Sequence, residues 1–77
     1  MKSVTIYTTP TCVYCLVAKN YFDSKNIHYQ EVDITQDEEA LKWVVETTHH
    51  SAVPVIKIGK RVVVGFDKPT IDELLKE

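Results

Sequence analysis

The pattern of hydrophobic and polar positions predicts a chain that alternates between strands and helices. Residues Ser3 to Tyr7 are apolar and rich in β-forming types, which indicates a first strand. From Val13 to Lys25 the apolar positions follow helical spacing, and Asn26 suits the end of that helix. Its buried face is predicted to comprise Val17, Ala18, Tyr21 and Phe22.

The middle of the chain adds a strand and a helix. His28 to Ile34 predicts the second strand. Thr35 followed by Glu38 has the spacing of a capping box, so the second helix is expected to begin there. Its inward stripe is predicted to be Leu41, Val44, Val45 and Thr48. Trp43 lies off that stripe and is expected to be partly exposed.

The last part of the chain predicts a hairpin and a helix. Val53 to Ile58 and Arg61 to Val64 are two short strands, and Gly59-Lys60 fits a two-residue turn with glycine first. Asp67 is expected to cap a last helix that has Pro69 in its first turn. The inward residues of this helix are predicted to be Ile71, Leu74 and Leu75.

The predicted order is therefore β-α-β-α-β-β-α, an α/β fold. A strand–helix–strand unit makes the first two strands parallel with a right-handed crossover, and the hairpin adds antiparallel strands. With 77 residues the chain forms a single domain over residues 1–77. Such a small domain has no room for a deep enclosed pocket, so any site is expected in a surface groove.

Composition and charge exclude several functions. The 44% of hydrophobic and 26% of charged residues are typical of a folded globular protein. A net charge of −2 argues against a nucleic-acid partner, which needs a basic surplus. Apolar runs such as Val62 to Val64 are too short to cross a membrane. Met1 to Ser3 leads straight into a strand without a signal region, which predicts a cytoplasmic location, and we expect a monomer.

Cys12 and Cys15 lie between the first strand and the first helix, the context that a redox-active pair needs. A structural disulfide is disfavoured because cytoplasmic thiols are kept reduced and a bridge here would close a very short loop. Unpaired N–H groups and the dipole at the helix N-terminus stabilise a thiolate on Cys12. Cys12 is therefore predicted to attack, and Cys15, one turn deeper, to resolve the mixed disulfide.

Two other interpretations of the cysteines remain. A zinc site would need two more ligands, and His49-His50 is the candidate pair. Adjacent histidines in a polar loop are more often solvated, so we predict no metal. The cysteines could also be incidental in a binding module, which thiol reactivity at mildly acidic pH would distinguish.

Val53-Pro54 opens the third strand. Proline donates no hydrogen bond to a ladder and so belongs at a strand start or edge. Bonds before proline can also be cis. A cis Pro54 would leave the N–H and C=O of Val53 free for an extended peptide, whereas a trans Pro54 would merely begin the strand. The residues alone leave both open.

Three segments resemble the glutaredoxin family. Tyr7 to Cys15 resembles the family's strand and active-site motif, Ala52 to Val55 its Thr-Val-Pro segment with a cis proline, and Val64 to Asp67 its Gly-Gly-x-Asp-Asp segment. The later segments are most similar to small YruB-type glutaredoxin-like proteins. The resemblance covers essentially the whole chain and implies a thioredoxin fold, with a four-stranded mixed sheet and three helices.

The resemblance also implies a function. The chain would be a dithiol glutaredoxin that reduces protein disulfides and glutathione mixed disulfides, with glutathione as co-substrate and no tightly bound cofactor. The implied glutathione contacts are Thr9, Tyr14, Val53, Pro54, Gly65, Phe66 and Asp67. A helix N-terminus at Asp67 would offer N–H groups to a carboxylate, and the Asp67 side chain could meet the ammonium or simply cap the helix.

Three positions depart from the family pattern. Thr9 stands where many glutaredoxins carry a lysine that meets the glycine carboxylate, Val13 replaces a proline, and Lys68 replaces the second acidic residue. Gly-Phe followed by a proline resembles NrdH-type redoxins, whose electron donor is thioredoxin reductase, but Tyr14 favours glutathione. An iron–sulfur carrier that uses Cys12 of two chains is the further alternative.

Overall fold

The computed structural model describes residues 3–49 and 53–76. The elements within these ranges are β1 (Val4–Thr8), α1 (Val13–Ser24), β2 (Gln30–Asp33), α2 (Glu38–Thr48), β3 (Val55–Ile58), β4 (Arg61–Val64) and α3 (Lys68–Lys76). The predicted order is confirmed. Strand bounds differ at the ends: β1 is displaced by one residue towards Thr8, and β2 and β3 are shorter than predicted.

The strands form one mixed sheet in the order β2-β1-β3-β4. β1 pairs in parallel with β2 and antiparallel with β3, and β3 pairs antiparallel with β4. Together with the helices, this is the expected thioredoxin fold. Gly59 opens the β3–β4 turn with a φ of +60°, a conformation that glycine adopts without steric cost.

Helices cover both faces of the sheet. On one face α1 and α3 pack on the strands in a core of Val4, Ile6, Ala18, Phe22, Ile56, Ile58, Val63, Ile71 and Leu74. On the other face α2 packs in a smaller cluster of Ile34, Val44 and Val55. This arrangement fixes the end of β1 against the start of α1, where the cysteines lie.

The buried face of α1 differs slightly from the prediction. Ala18 and Phe22 are buried and Tyr21 is half-buried, as expected, but Val17 is 40% exposed. The buried face is centred on Cys15, Ala18 and Phe22, so the helical rotation turns Val17 towards solvent. The helix ends as predicted, with Asn26 at a φ of +57°.

The predicted start of α2 is wrong. Its N-cap is Asp37, whose Oδ1 accepts the Ala40 N–H at 3.0 Å. Thr35 instead donates both its N–H and its hydroxyl to Asp33 Oδ1, at 2.8 and 2.6 Å. The nearby carboxylate of Asp33 thus holds Thr35 in a turn before the helix, which prevents the expected capping box with Glu38.

The predicted inward stripe of α2 is also only partly correct. Val44 is buried, but Leu41 and Val45 are 36% and 41% exposed. The smaller cluster on this face offers α2 few partners, so only a narrow stripe is covered. Trp43 is half-buried, as expected, because its ring stacks on Tyr7 with centroids 4.8 Å apart.

The last helix agrees with the prediction. Pro69 is in the first turn of α3, Ile71 and Leu74 are buried, and Leu75 is half-buried. Within residues 3–49 and 53–76, no helix is long and apolar enough to cross a membrane.

Candidate active site

Cys12 is the N-cap of α1. Its backbone is extended, with a φ of −87° and a ψ of 111°, and its N–H donates to Thr9 O at 3.3 Å. Cys12 Sγ accepts the backbone N–H of Cys15 at 3.1 Å. A cysteine therefore occupies a position that serine or aspartate usually fills, and the helix directs the N–H of Cys15 at its sulfur. This arrangement stabilises negative charge on Cys12 Sγ.

Cys15 lies in a different environment. It is 1% exposed, whereas Cys12 is half-buried. Burial, followed by the hydrogen bond with Cys12, raises the pKa of the Cys15 thiol to about 12. At neutral pH Cys15 is therefore protonated and shielded, while the Cys12 sulfur is accessible. This difference favours attack by Cys12 and a later reaction of Cys15.

A recess of about 380 Å³ opens beside both sulfurs. Its walls are the β1–α1 loop, the first turns of α1, and two acidic residues of β2. The lining residues are Thr8, Thr9, Pro10, Thr11, Cys12, Val13, Cys15, Leu16, Lys19, Glu31 and Asp33. A larger groove of about 1050 Å³ lies by the start of β1, but it contains neither cysteine. We therefore place the site at the smaller recess.

Thr8, Lys19 and Glu31 form a hydrogen-bonded group of polar residues in this recess that was not predicted from the sequence. Glu31 Oε2 accepts hydrogen bonds from Lys19 Nζ at 2.8 Å and from Thr8 Oγ1 at 3.2 Å. Lys19 could have been found from the sequence, because it follows Cys15 by four residues and so shares its helix face. Glu31 could not, because its place depends on the register in which it pairs with Ile6 of β1.

Pro54 connects two of the segments that resemble the glutaredoxin family, the proline segment and the segment from Val64 to Asp67. The Val53–Pro54 bond is cis, which decides between the alternatives left open above. Pro54 O accepts the Gly65 N–H at 2.8 Å. Gly65 has a φ of +82°, a conformation that side-chain-bearing residues rarely adopt. The proline segment and the glycine loop are thus held together by the backbone.

The segment before α3 is anchored on both sides. Phe66 is half-buried and contacts the ring of Tyr21 edge-on, with centroids 5.6 Å apart. Asp67 caps α3: its carboxylate accepts the Thr70 hydroxyl at 2.8 Å and the Thr70 N–H at a long 3.5 Å. The predicted cap is confirmed, and Asp67 is exposed, so it can also meet a ligand.

The remaining candidate residues lie near the cysteines or in the segment between α2 and β3. Tyr14 is 67% exposed, on the turn that carries the cysteines. Val53 is half-buried and packs against the smaller cluster. His49 is exposed, while its neighbour His50, like Ala52, lies outside the described residues. The part of the chain that is described holds no group of three or more potential metal ligands.

Comparisons with known proteins give a consistent result. The Glutaredoxin family model matches residues 4–63. The chain is 38% identical to an uncharacterized glutaredoxin-like 8.6 kDa protein in the rubredoxin operon of Clostridium pasteurianum, over 96% of this chain and 99% of that protein. It is 35% identical to Glutaredoxin 1 of Rickettsia prowazekii, over 87% of this chain and 73% of that protein. A crystal structure of a mutant of the thioredoxin-like protein BC3987 superposes with a TM-score of 0.88 at 28% identity, covering 99% of this chain and 97% of that one.

Proposed function

This chain belongs to the glutaredoxin family, and from that premise we propose that it is a dithiol thiol–disulfide oxidoreductase with Cys12 as nucleophile and Cys15 as resolving thiol. The observation that carries the proposal is the hydrogen bond of 3.1 Å from the Cys15 N–H to Cys12 Sγ at the start of α1. It stabilises a thiolate on the accessible sulfur and places the buried thiol within one helical turn of it.

The reaction follows from these positions. The Cys12 thiolate attacks one sulfur of a substrate disulfide, so that a mixed disulfide forms and the other substrate sulfur leaves as a thiolate. Cys15 then loses its proton and attacks Cys12 Sγ. The bond between Cys12 and the substrate breaks, the second substrate thiol leaves, and a Cys12–Cys15 disulfide remains. Two electrons have passed to the substrate.

We propose glutathione as the reductant that restores the dithiol. Two glutathione molecules supply the two electrons and leave as glutathione disulfide. Their carboxylates suit the N–H groups at the start of α3, where Asp67 is exposed. Within the described residues, the backbone of Val53 makes no hydrogen bond, which suits an extended peptide added beside it. Gly65 and Phe66 lie between the backbone of Val53 and the start of α3. Thr9 and Tyr14 flank the cysteines.

Thioredoxin reductase is the second candidate donor. The observation that favours it is the neutral side chain of Thr9 beside Cys12, which offers no positive charge to a glutathione carboxylate. Both candidates use the same two cysteines and differ only in what reduces the disulfide between them.

A coupled assay tests the proposal. NADPH consumption with a disulfide substrate is measured in two mixtures, one with glutathione and glutathione reductase and one with thioredoxin reductase alone. We expect turnover in the first mixture, and none from Cys12→Ser in either. Turnover confined to the second mixture would contradict the glutathione assignment but leave the cysteine roles intact. Equal activity of Cys12→Ser and wild type would contradict the oxidoreductase proposal itself.

A further inference from the structure

The recess beside the cysteines contains a lysine that the reaction described above does not use. Lys19 stands one helical turn after Cys15 on the same face of α1, and both side chains line the recess. Lys19 carries the only positive charge among the described lining residues. The other ionisable groups facing the recess are Cys12 of α1 and the carboxylates of Glu31 and Asp33 of β2, and β1 contributes the hydroxyl of Thr8.

The ammonium of Lys19 is fixed in place. Glu31 Oε2 accepts from Lys19 Nζ at 2.8 Å, and Thr8, which is 2% exposed, donates to the same oxygen at 3.2 Å. The side chains of Lys19 and Glu31 are 26% and 42% exposed. The Lys42–Glu46 pair on α2 is looser, at 4.0 Å with side chains 76% and 66% exposed. Solvent therefore screens Lys19 less than a typical surface lysine.

A positive charge near Cys15 would assist the resolving step. Cys15 must become a thiolate in order to attack Cys12, yet its burial opposes ionisation. A nearby cation favours the charged form of a thiol. The charge of Lys19 accordingly acts to lower the pKa of Cys15, against the larger effect of burial. The other carboxylate of the recess, that of Asp33, is hydrogen-bonded elsewhere, because its Oδ1 accepts the N–H and the hydroxyl of Thr35.

We propose that Lys19, positioned by Glu31 and Thr8, promotes ionisation of Cys15 in the resolving step. This inference rests on the function proposed above. The Cys15 thiol gives its proton to water, its sulfur attacks Cys12 Sγ, and the bond between Cys12 and the substrate sulfur breaks. The substrate leaves as a thiolate that takes up a proton, and the Lys19 ammonium stays protonated throughout.

The experiment separates the two chemical steps. Reduced protein is mixed with dithiobis-nitrobenzoate, a symmetric disulfide with a coloured thiolate. The first coloured thiolate is released by Cys12 and the second by Cys15, so a stopped-flow trace has two phases. In Lys19→Met we expect the second phase to be roughly threefold slower at neutral pH and the first unchanged. One pKa unit lowers the thiolate fraction tenfold, but the more basic thiolate is also the better nucleophile.

Further variants distinguish charge from structure. Lys19→Arg keeps the charge and should restore the second phase, and Lys42→Met, which removes an exposed lysine on α2, should behave like wild type. In a Cys12→Ser background, the NMR chemical shift of Cys15 Cβ should titrate at higher pH when Lys19 is replaced by methionine. Trp43 fluorescence checks that each variant is folded.

The proposal is overturned if Lys19→Met leaves the second phase and the Cys15 titration unchanged, or if Lys19→Arg is as slow as Lys19→Met. Glu31→Gln keeps an acceptor oxygen and removes a negative charge, so its second phase should be no slower than that of wild type. If the second phase is slow in Glu31→Gln while Cys15 does not titrate at higher pH, a carboxylate base is identified and the role of Lys19 is overturned, even if Lys19→Met fails to fold. A missing first phase in wild type would instead refute the proposed function.

Discussion

The backbone N–H of Cys15 points at Cys12 Sγ across 3.1 Å, so the helix that buries one cysteine also presents a hydrogen-bond donor to the sulfur of the other. The same turn of α1 therefore places the two sulfurs in different environments. Cys12 caps the helix and is open to the recess, whereas Cys15 is enclosed and its pKa is raised to about 12 by burial first and by its hydrogen bond with Cys12. Replacing each cysteine in turn should reveal this asymmetry.

Cys12→Ser should abolish reduction of every disulfide, because serine is a far weaker nucleophile. Cys15→Ser should retain reduction of glutathione mixed disulfides, since glutathione itself can resolve the intermediate, and should lose most reduction of protein disulfides. Both activities are measured with a small glutathione mixed disulfide and a protein disulfide as substrates. If Cys15→Ser were inactive on both, the single-thiol route would be wrong and reduction by thioredoxin reductase would gain support.

Alkylation should also distinguish the sulfurs. At mildly acidic pH, a limited amount of iodoacetamide should label Cys12 first, because Cys12 is half-buried and Cys15 is 1% exposed. Mass mapping of the labelled peptides measures the ratio. Preferential labelling of Cys15 would reverse the assigned roles.

A contact between α1 and α3 should make stability depend on pH in acid. The Tyr21 hydroxyl donates to the Asp72 carboxylate, and Lys68 Nζ lies 3.2 Å from the same group. The Tyr21 hydrogen bond, and then Lys68, hold the pKa of Asp72 below its usual value. A lowered pKa stabilises the fold above the unfolded-state pKa, and this contribution is lost as the pH falls through the folded-state pKa.

Asp72→Asn should therefore unfold with a weaker dependence on pH than wild type between about pH 5 and about pH 2. Urea unfolding monitored by Trp43 fluorescence measures this dependence. Tyr21→Phe should show part of this flattening, because Lys68 still lowers the pKa of Asp72, whereas Tyr14→Phe, which removes an exposed hydroxyl, should show none. An unchanged pH dependence in Asp72→Asn would show that this contact contributes nothing to acid stability.

The start of α2 offers a direct test of which residue caps it. Asp37 Oδ1 accepts the Ala40 N–H at 3.0 Å, so Asp37→Ala should lower the free energy of unfolding by about 1 kcal/mol. Thr35→Ala removes an exposed hydroxyl whose partner among the described residues is Asp33, and it should lower the free energy of unfolding clearly less. Chemical unfolding of the two variants gives the comparison, and a larger loss in Thr35→Ala would restore the capping box predicted from the sequence.

That difference illustrates how far the sequence predicts this fold. Element order and strand directions follow from hydrophobic spacing and from the chirality of the crossover, so they were predictable. The choice between Thr35 and Asp37 was not, because Asp33 accepts the N–H of Thr35 while Asp37 accepts the N–H of Ala40, and only the folded geometry shows this division. The exposure of Val45 likewise depends on how little of the sheet α2 covers.

The candidate site shows the same limit. The spacing of Cys12 and Cys15, and the helix that begins beside them, were evident in the chain. Thr8 and Glu31 meet only because β1 and β2 pair in one particular register, which residue spacing within either strand does not contain. Long-range polar contacts are therefore the part of this site that required the structure.

The glutathione assignment leads to a prediction about Thr9, which lies in the loop beside Cys12. A hydrogen bond to a charged group contributes about 1.5–3 kcal/mol, or roughly ten- to a hundredfold in affinity. Thr9→Lys should supply such a bond to the glycine carboxylate and so lower the apparent KM for glutathione by about tenfold. Thr11→Lys adds the same charge to the same loop, at a position that also lines the recess, so it controls for a general effect of positive charge beside Cys12.

Asp67 tests the other end of glutathione. Its carboxylate caps α3 through Thr70, so Asp67→Ala would mix lost capping with lost binding. Asp67→Asn separates them, because asparagine caps about as well and carries no charge. We expect Asp67→Asn to raise the apparent KM for glutathione roughly tenfold, by removing the partner of the ammonium, with an unchanged midpoint of unfolding. If the KM is unchanged in Asp67→Asn, and Thr9→Lys acts no differently from Thr11→Lys, glutathione is not bound along this surface and thioredoxin reductase becomes the favoured electron donor.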